Sequence, residues 1–242
     1  MLGRLVGSSN NAMVVRVHPP GTRLPDVASE PAGPPTIEET DLLAIWKPTL
    51  GERPLFDFPL GTLTRREVAA YLVSEAFGWS IVPPTLLREG PFGEGMIQRW
   101  IDVDPEVDVV ALVTQDDPRL RRIAVFDAAI NNTDRKGGHV LPVPGGHLHA
   151  VDHGVTFSVV PKLRTLLWAW EGEPFDAEEI AGLRRIQAAL EDASEGSLGG
   201  QLRTLLDADE VDATRERVAT LLNGGRFPGP NPEWPSIPWP PF

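Results

Sequence analysis

The stretch from Asn131 to Gly154 holds two acids whose spacing is compatible with phosphoryl transfer. Asp134 lies in a polar loop, and Asp152 follows a short apolar strand eighteen residues later. A hairpin between them would bring both carboxylates to the opening of one site, where one would orient a hydroxyl and the other would hold a metal ion. The alternative is that Asp134 only caps a turn and that Asp152 only closes a hairpin.

Lys47 and Glu67 are candidates to complete such a site. Lys47 is the only lysine before residue 136 and ends the apolar run 42–46, so it needs an anionic partner. Nucleotide phosphates together with Glu67 would supply that partner. The alternative is that Lys47 marks a strand edge and that Glu67 completes a helix-capping box with Thr64. Beside the two acids, we favour the phosphate-binding interpretation.

The neighbours of Asp134 differ from those of a packed core. Turn formers and charges flank it at 131–133 and 135–138, and we expect this run not to be buried. Asp127 instead falls on an otherwise apolar helix. We expect Asp127 to brace the loop by hydrogen bonds, which is a structural role.

Four of the five histidines fall within fifteen residues, namely His139, His147, His149 and His153. Structural zinc sites normally show paired ligand spacing, and neither a Cys nor an HExxH pair accompanies these histidines. We therefore favour one histidine as a metal ligand or phosphate contact over a zinc cluster.

The composition narrows the function classes. The 242 residues are 41% hydrophobic, enough for a sizeable core, and 22 basic against 34 acidic residues give a net charge of −12. This charge disfavours a general affinity for nucleic acid or for anionic bilayers. The chain has no Cys, and Gly, Ser and Asn interrupt its first residues before a signal peptide or membrane span develops. We expect a cytoplasmic protein without stable membrane association.

Residues 1–100 are predicted to form a small lobe of antiparallel sheet with one helix. Strands are predicted at Gly3 to Val6, Ala12 to His18, Asp41 to Lys47, Thr85 to Leu87 and Gly95 to Trp100. The turn Gly7–Asn10 is suited to cover a phosphate group. Residues 19–36 hold six prolines, which predicts a loop or insertion. The helix is predicted to begin near Thr64 and to end at Gly78.

Residues 101–225 are predicted to form a mainly helical lobe, which makes the fold α+β with two lobes. Helix-like apolar spacing marks Arg119 to Ile130, Lys162 to Trp170, Ala177 to Ala193, Gly200 to Leu206 and Asp212 to Leu222. The last seventeen residues, 226–242, hold seven prolines together with Trp234, Trp239 and Phe242. Such a tail is extended, and its aromatic rings either dock on the body or bind a partner.

In their order and spacing these pieces resemble the bacterial phosphatidylinositol 3-/4-kinase-like family, an atypical branch of the protein-kinase-like fold related to type II phosphatidylinositol 4-kinases and HipA-type kinases. The resemblance spans roughly residues 3–175. It rests on Gly7-Ser8-Ser9-Asn10, Trp46-Lys47-Pro48, Glu67 to Leu72, Ile81 to Thr85, Met96 to Trp100, Asn132-Thr133-Asp134-Arg135 and Val151-Asp152-His153-Gly154. It implies a two-lobed protein-kinase-like fold with a small N-lobe of sheet and one helix.

The resemblance implies a role for each matching residue. Asp134 would be the catalytic acid, and Lys47 would contact the α- and β-phosphates of ATP. Glu67 would pair with Lys47, and Asp152 would bind Mg²⁺ or Mn²⁺. The contacts to the nucleotide would come from the loop Gly7, Ser8, Ser9 and Asn10 over the phosphates and from backbone groups at Ile97, Gln98 and Arg99 on the adenine.

One position departs from the family. Five residues after Asp134, where relatives place a metal-binding Asn, this chain has His139. A neutral imidazole can ligate a metal, and Mn²⁺ tolerates nitrogen better than Mg²⁺ does. The departure points to an altered metal preference or to weak activity.

The leading functional hypothesis is ATP-dependent transfer of the γ-phosphate to a hydroxyl of a protein, which includes the chain itself, or of a small molecule. The alternatives are a nucleotide-binding pseudokinase or scaffold whose tail recruits a partner, and an AMP transferase on the same fold. The family name implies a lipid acceptor, but the net charge of −12 disfavours binding of an anionic inositol lipid. Lys162 and Arg164 either contact an acidic acceptor or begin a solvated helix.

Overall fold

The computed structural model describes residues 2–4, 11–19, 21–22 and 41–242. Its strands are β1 (Gly3–Arg4), β2 (Met13–Val17), β3 (Leu42–Pro48), β4 (Thr85–Gly90), β5 (Gly93–Arg99), β6 (Val140–Pro142) and β7 (Leu148–Ala150). Its helices are α1 (Leu63–Phe77), α2 (Val109–Thr114), α3 (Leu120–Ile130), α4 (Ala177–Glu191), α5 (Leu198–Leu205) and α6 (Ala208–Gly224), with a 3-10 turn at Gly137–His139. The predicted phosphate-covering loop Gly7–Asn10 and most of the predicted insertion 19–36 lie outside the described residues.

The first five strands form one antiparallel sheet in the order β1-β2-β3-β5-β4. The predicted strands are confirmed within the described residues, and β4 is longer than expected. The register places Lys47 of β3 opposite Met96 of β5, and Ile45 opposite Gln98. Because side chains alternate along a strand, Lys47, Met96 and Gln98 share one face of the sheet. Helix α1 packs on the sheet through β4 and β5.

Helix α1 ends where the sequence predicts. Gly78 follows it with a φ of 73°, a left-handed conformation that glycine adopts without strain. The predicted capping box is wrong, because Thr62 is the N-cap residue and makes no side-chain cap bond. The Glu67 side chain is turned instead toward Lys47. A residue that looked like a local cap therefore makes a long-range contact.

Helix α1 is buried between the sheet and the helices that follow. Its residues Ala69, Val73 and Phe77 join one hydrophobic core with residues of α3, α4, α5 and α6. Arg66 is also buried, and it donates to Glu210 of α6 at 2.6 Å and to a backbone carbonyl at 2.7 Å. The helix that carries Glu67 is thus fixed from both sides.

The part of the chain after β5 is mainly helical, which confirms the α+β class. The predicted helices at 119–130, 177–193, 200–206 and 212–222 correspond to α3, α4, α5 and α6. Helix α2 was not predicted, and Asp108 caps it by accepting from two backbone N–H groups. The lobe boundary near residue 100 stays a prediction. Among the described residues, no helix combines the length and the apolar character that crossing a bilayer requires.

The predicted helix at Lys162 to Trp170 is wrong. Arg164 N donates to Asn132 O at 2.9 Å, and Arg164 O accepts from Arg135 N at 3.0 Å. Thr165 N donates to Ser236 O at 3.0 Å on the other side. These backbone groups bond across the fold, so the segment is extended and cannot form the local bonds of a helix.

The tail 226–242 lies against the body of the protein. Phe227 is buried, and its backbone N–H donates to the backbone carbonyl of Glu173 at 3.0 Å. Asn231 donates its side-chain amide to Pro161 O at 2.9 Å, and Trp168 Nε1 donates to Ser236 O at 3.0 Å. The tail therefore runs beside the extended segment that replaces the predicted helix.

Candidate active site

Lys47 lies at the centre of a group of charged residues. Its Nζ is 2.7 Å from Glu67 Oε1 on α1 and 2.8 Å from Asp152 Oδ1, which follows β7. The second oxygen of Glu67 accepts the backbone N–H of His153 at 2.9 Å. Three separate elements therefore meet at one lysine. The pairing of Lys47 with Glu67 was predicted from the sequence, whereas the direct contact of Lys47 with Asp152 was not.

The charges of this group reinforce one another. Burial alone would lower the pKa of Lys47, but the carboxylates of Asp152 and Glu67 outweigh it and raise that pKa well above its usual range. The Lys47 ammonium in turn holds the pKa of the Asp152 carboxyl well below its usual range. Both groups are thus ionised throughout the physiological pH range. Asp152 also has a φ of 62°, a strained conformation for a non-glycine residue of the kind found at functional sites.

Asp134 lies in the loop of residues 131–136, called the acid loop here. Asn132 fixes the loop by accepting the Asp134 N–H at 3.0 Å through its side-chain oxygen. Two cations reach the carboxylate, Arg164 Nη2 at 3.2 Å and Lys136 Nζ at 3.2 Å. The acid is partly exposed, so a ligand can reach it. Arg164 lies beside the predicted acid rather than at the start of a solvated helix.

Arg135 ties the acid loop to the segment that bears Asp152. It forms a two-bond ion pair with Asp127 at 2.8 and 2.9 Å, and donates to Val151 O at 2.9 Å and to His153 Nε2 at 2.6 Å. The expectation that residues 131–138 are not buried is wrong, because Arg135 and Asn132 are wholly buried. The predicted bracing role of Asp127 is confirmed. The sequence motif includes Asn132 and Arg135, but their burial and their contacts within the loop were not predicted.

His139 is the position at which the chain departs from the kinase-like pattern. Its Nε2 is 3.4 Å from Asp152 Oδ2, and burial lowers its pKa, so the imidazole is neutral near pH 7. A neutral imidazole and a carboxylate at this distance fit a divalent cation. Within the described residues no three His, Cys, Asp or Glu side chains converge on a metal position. Asp152 and His139 are the candidate protein ligands of such an ion.

The other clustered histidines have different partners. His153 is buried and accepts from Arg135. His147 lies 3.0 Å from the carbonyl of Ser80, and His149 lies 3.2 Å from the carbonyl of Ile81. The cluster in the sequence is therefore divided among separate contacts, and His139 is the member that faces Asp152.

The predicted adenine contacts Ile97, Gln98 and Arg99 lie in β5. Gln98 lies between Ile45 of β3 and Thr85 of β4, and its side-chain amide donates to the Thr85 hydroxyl at 2.8 Å. Because a strand flanked on both sides uses its peptide groups in pairing, the backbone there is poorly suited to bind a base. The adenine contact at Ile97, Gln98 and Arg99 stays a prediction.

A cavity of about 310 Å³ opens beside these charges. It is lined by Lys47, Glu67, Asp134 and Asp152 together with Arg53, Leu55, Phe56, Phe58, Arg164 and Trp234, among others. The apolar walls come from the connection between β3 and α1 and from the tail. Lys162 supports this wall, because its Nζ pairs with Asp57 at 2.5 Å and lies 4.2 Å from the Phe58 ring. Lys162 is thus buried in the wall.

The free energy of unfolding is expected to fall as pH is lowered from 7 to 5. Burial, aided by the Arg135 charge, lowers the pKa of His153 well below 6.5, and burial lowers that of His139 as well. The unfolded chain therefore takes up protons first, and stability present above pH 6.5 is lost below it. Each group contributes a slope of up to about 1.4 kcal/mol per pH unit. Urea unfolding at pH 7, 6 and 5 measures this.

The matched variants are His153→Gln and His147→Gln. The first removes a buried histidine and should flatten the pH dependence, whereas the second changes an exposed histidine that helps to lower the pKa of His149 and should alter the pH dependence much less. An equal slope in wild type and His153→Gln would contradict the assignment.

No protein-family model matches the chain. It is 42% identical to protein Rv2133c of Mycobacterium tuberculosis strain ATCC 25618 / H37Rv over 242 aligned positions, which cover 86% of this chain and 85% of the relative. The chain therefore belongs to the same protein family as Rv2133c.

Among solved structures, the crystal structure of the Helicobacter pylori proinflammatory kinase CtkA is similar at a TM-score of 0.43 and 12% identity. The match covers 90% of this chain and 94% of that chain. At this TM-score the likeness carries no argument about the fold or the activity of the present chain.

Proposed function

We propose that the chain is an ATP-dependent phosphotransferase of the atypical kinase class that transfers the γ-phosphate to a hydroxyl of a protein or a small molecule. One observation carries the proposal, namely that the Lys47 ammonium joins Glu67 and Asp152 in a cavity that Asp134 also lines. A lysine fixed by an acid of a packed helix is pre-organised to contact phosphate oxygens. The resemblance in sequence motifs supports the same roles.

Asp134 is suited to accept the proton of the attacking hydroxyl, because it is a partly exposed acid that lines the cavity on a loop held by Asn132. Arg164 and Lys136 lie 3.2 Å from its carboxylate, where they would stabilise charge that develops on the transferred group. Catalysis would depend on position and charge rather than on a covalent intermediate.

Asp152 and His139 would hold a divalent ion. When bound, Mg²⁺ or Mn²⁺ would offset the negative charge of the phosphate groups. The Lys47 ammonium would exchange part of its contact with Asp152 for the α- and β-phosphates. The Glu67 carboxylate would keep the lysine in place during this exchange, since its other oxygen is held by the His153 N–H.

The test is incubation of purified protein with γ-labelled ATP and either Mg²⁺ or Mn²⁺, with α-labelled ATP in parallel. Label incorporated into the protein or an added acceptor from the γ position alone supports phosphate transfer. Incorporation from the α position shows AMP transfer instead. A Lys47→Met variant should lose transfer, because its phosphate contact is gone. Absence of label and of ATP hydrolysis in the wild type with both metals would reject the enzyme.

The second candidate is a nucleotide-binding scaffold without turnover. It is favoured by the direct contact of Lys47 with Asp152, because ligand binding must compete with that ion pair, and by His139 at the position of a metal-binding Asn. Thermal unfolding with ATP and metal, measured beside turnover, separates the two. An ATP-dependent rise in Tm without turnover supports the scaffold.

A further inference from the structure

The end of the tail lies on the turn that joins the two halves of the candidate site. Gly137 donates its backbone N–H to Pro241 O at 2.9 Å. The Phe242 ring lies so close to Gly137 that a Cβ added there would be 2.0 Å from a ring carbon. A side chain at residue 137 would therefore have to displace the ring.

The contact at Gly137 lies between two candidate functional residues, Asp134 and His139, along the chain. Gly137 follows the acid loop directly, lies three residues after Asp134, and begins the 3-10 turn that ends at His139. The contact thus bears on the backbone between the candidate proton acceptor and a candidate metal ligand. A change in this turn alters the separation of the two groups.

The tail also supports the acid loop indirectly, through the segment 164–166 that lies between them. Arg164 and Leu166 bond to the loop by their backbone N–H groups, at 2.9 Å to Asn132 O and 3.3 Å to Arg135 O. Thr165, between them, donates to Ser236 O of the tail at 3.0 Å. The segment is therefore held between the loop and the tail, and its two neighbours stabilise one arrangement.

We propose that the tail holds the acid loop and the following turn in their working geometry, with Phe242 as a positioning residue. The inference rests on the proposed phosphotransferase for its effect on turnover, while its effect on the loop is independent of any reaction. Phe242 itself is 47% exposed and contributes little to the core. Its contact with Gly137 is the structural reason to expect a local effect.

The experiment compares Phe242→Ala with Phe92→Ala. Phe92 is the same residue type at the same exposure, 46% against 47%, and lies in the turn between β4 and β5 away from the acid loop. Amide hydrogen exchange of residues 132–139 should be at least roughly tenfold faster in Phe242→Ala than in wild type, because the local opening becomes easier. It should be unchanged in Phe92→Ala. Equal exchange in the two variants overturns the proposal.

A double-mutant cycle tests the contact itself. Gly137→Ala should accelerate exchange in the wild-type background, because the added methyl displaces the ring, but should have little effect in Phe242→Ala. Additive effects of the two substitutions overturn the direct contact. Phe242→Tyr, which keeps the ring, should restore the slow exchange of the wild type.

The turnover arm measures kcat and KM for ATP. A loop that is displaced by a fraction of an ångström loses alignment, so kcat should fall by roughly ten- to a hundredfold while KM for ATP changes less. Faster exchange with unchanged kcat overturns the positioning role. If the wild type has no turnover, the proposed function fails, and the exchange results alone decide whether the tail holds the loop.

Discussion

Asp134→Asn and Asp152→Asn are each expected to lower the rate of phosphate transfer by ~10³-fold or more while leaving the fold intact. The first removes the group proposed to accept the hydroxyl proton. The second removes the charge that pairs with Lys47 at 2.8 Å and that is proposed to hold the divalent ion. Both substitutions keep the shape of the side chain, so the loss is attributable to charge. Single-turnover transfer from γ-labelled ATP measures it.

The matched control is Asp212→Asn on α6, an acid that is 63% exposed and pairs with Arg215 within its own helix. This variant should transfer phosphate at the wild-type rate. Far-ultraviolet circular dichroism and Tm verify that all three variants are folded. A wild-type rate in Asp134→Asn would reject its role as the proton acceptor.

Arg135→Met is expected to lower the free energy of unfolding by about 3–5 kcal/mol, because it leaves the buried Asp127 carboxylate without its ion-pair partner. The loss is large because both side chains are wholly buried. Urea unfolding at pH 7 measures it, together with ATP turnover in buffer without urea. Turnover should fall as well, because the same guanidinium links the acid loop to Val151 and His153.

Two further variants test whether the loss of stability in Arg135→Met comes from the buried charge that it leaves unpaired. Arg122→Met removes an exposed arginine that pairs with Glu178, and should cost no more than about 1 kcal/mol. The double variant Arg135→Met, Asp127→Asn removes both buried charges and should recover part of the stability. A double variant that is less stable than Arg135→Met alone would show that the isolated carboxylate is not the cause.

The sequence predicts best the features that depend on neighbouring residues along the chain. Alternation along β3 and the glycine after α1 specify where these elements run and end, because strand period and helix termination depend on neighbouring residues. The acids at 134 and 152 were found because turn formers surround them. Asp127 was identified because a carboxylate on an apolar helix requires a buried partner.

The features that the sequence did not reveal depend on distant partners. The apolar spacing at 162–170 matches a helix, yet its backbone bonds to the acid loop on one side and the tail on the other. Arg135 lies in a run whose composition is typical of a surface turn. It is buried because its guanidinium pairs with Asp127 and donates to His153. The sequence indicates that the buried Asp127 needs a partner, but only the fold shows that this partner is Arg135.

The placement of the lysines has a practical consequence for covalent labelling. The chain has three lysines, Lys47, Lys136 and Lys162, and each is paired with an acid that lines the same cavity. An amine-acylating reagent therefore has no lysine target away from the cavity, and apart from the α-amino group every adduct reports on this region. Lys136 should react first, since 23% of its side chain is exposed against 3% for Lys162. Under the proposed function, bound ATP would protect Lys47 from the reagent and so lower the adduct mass of the unaltered protein.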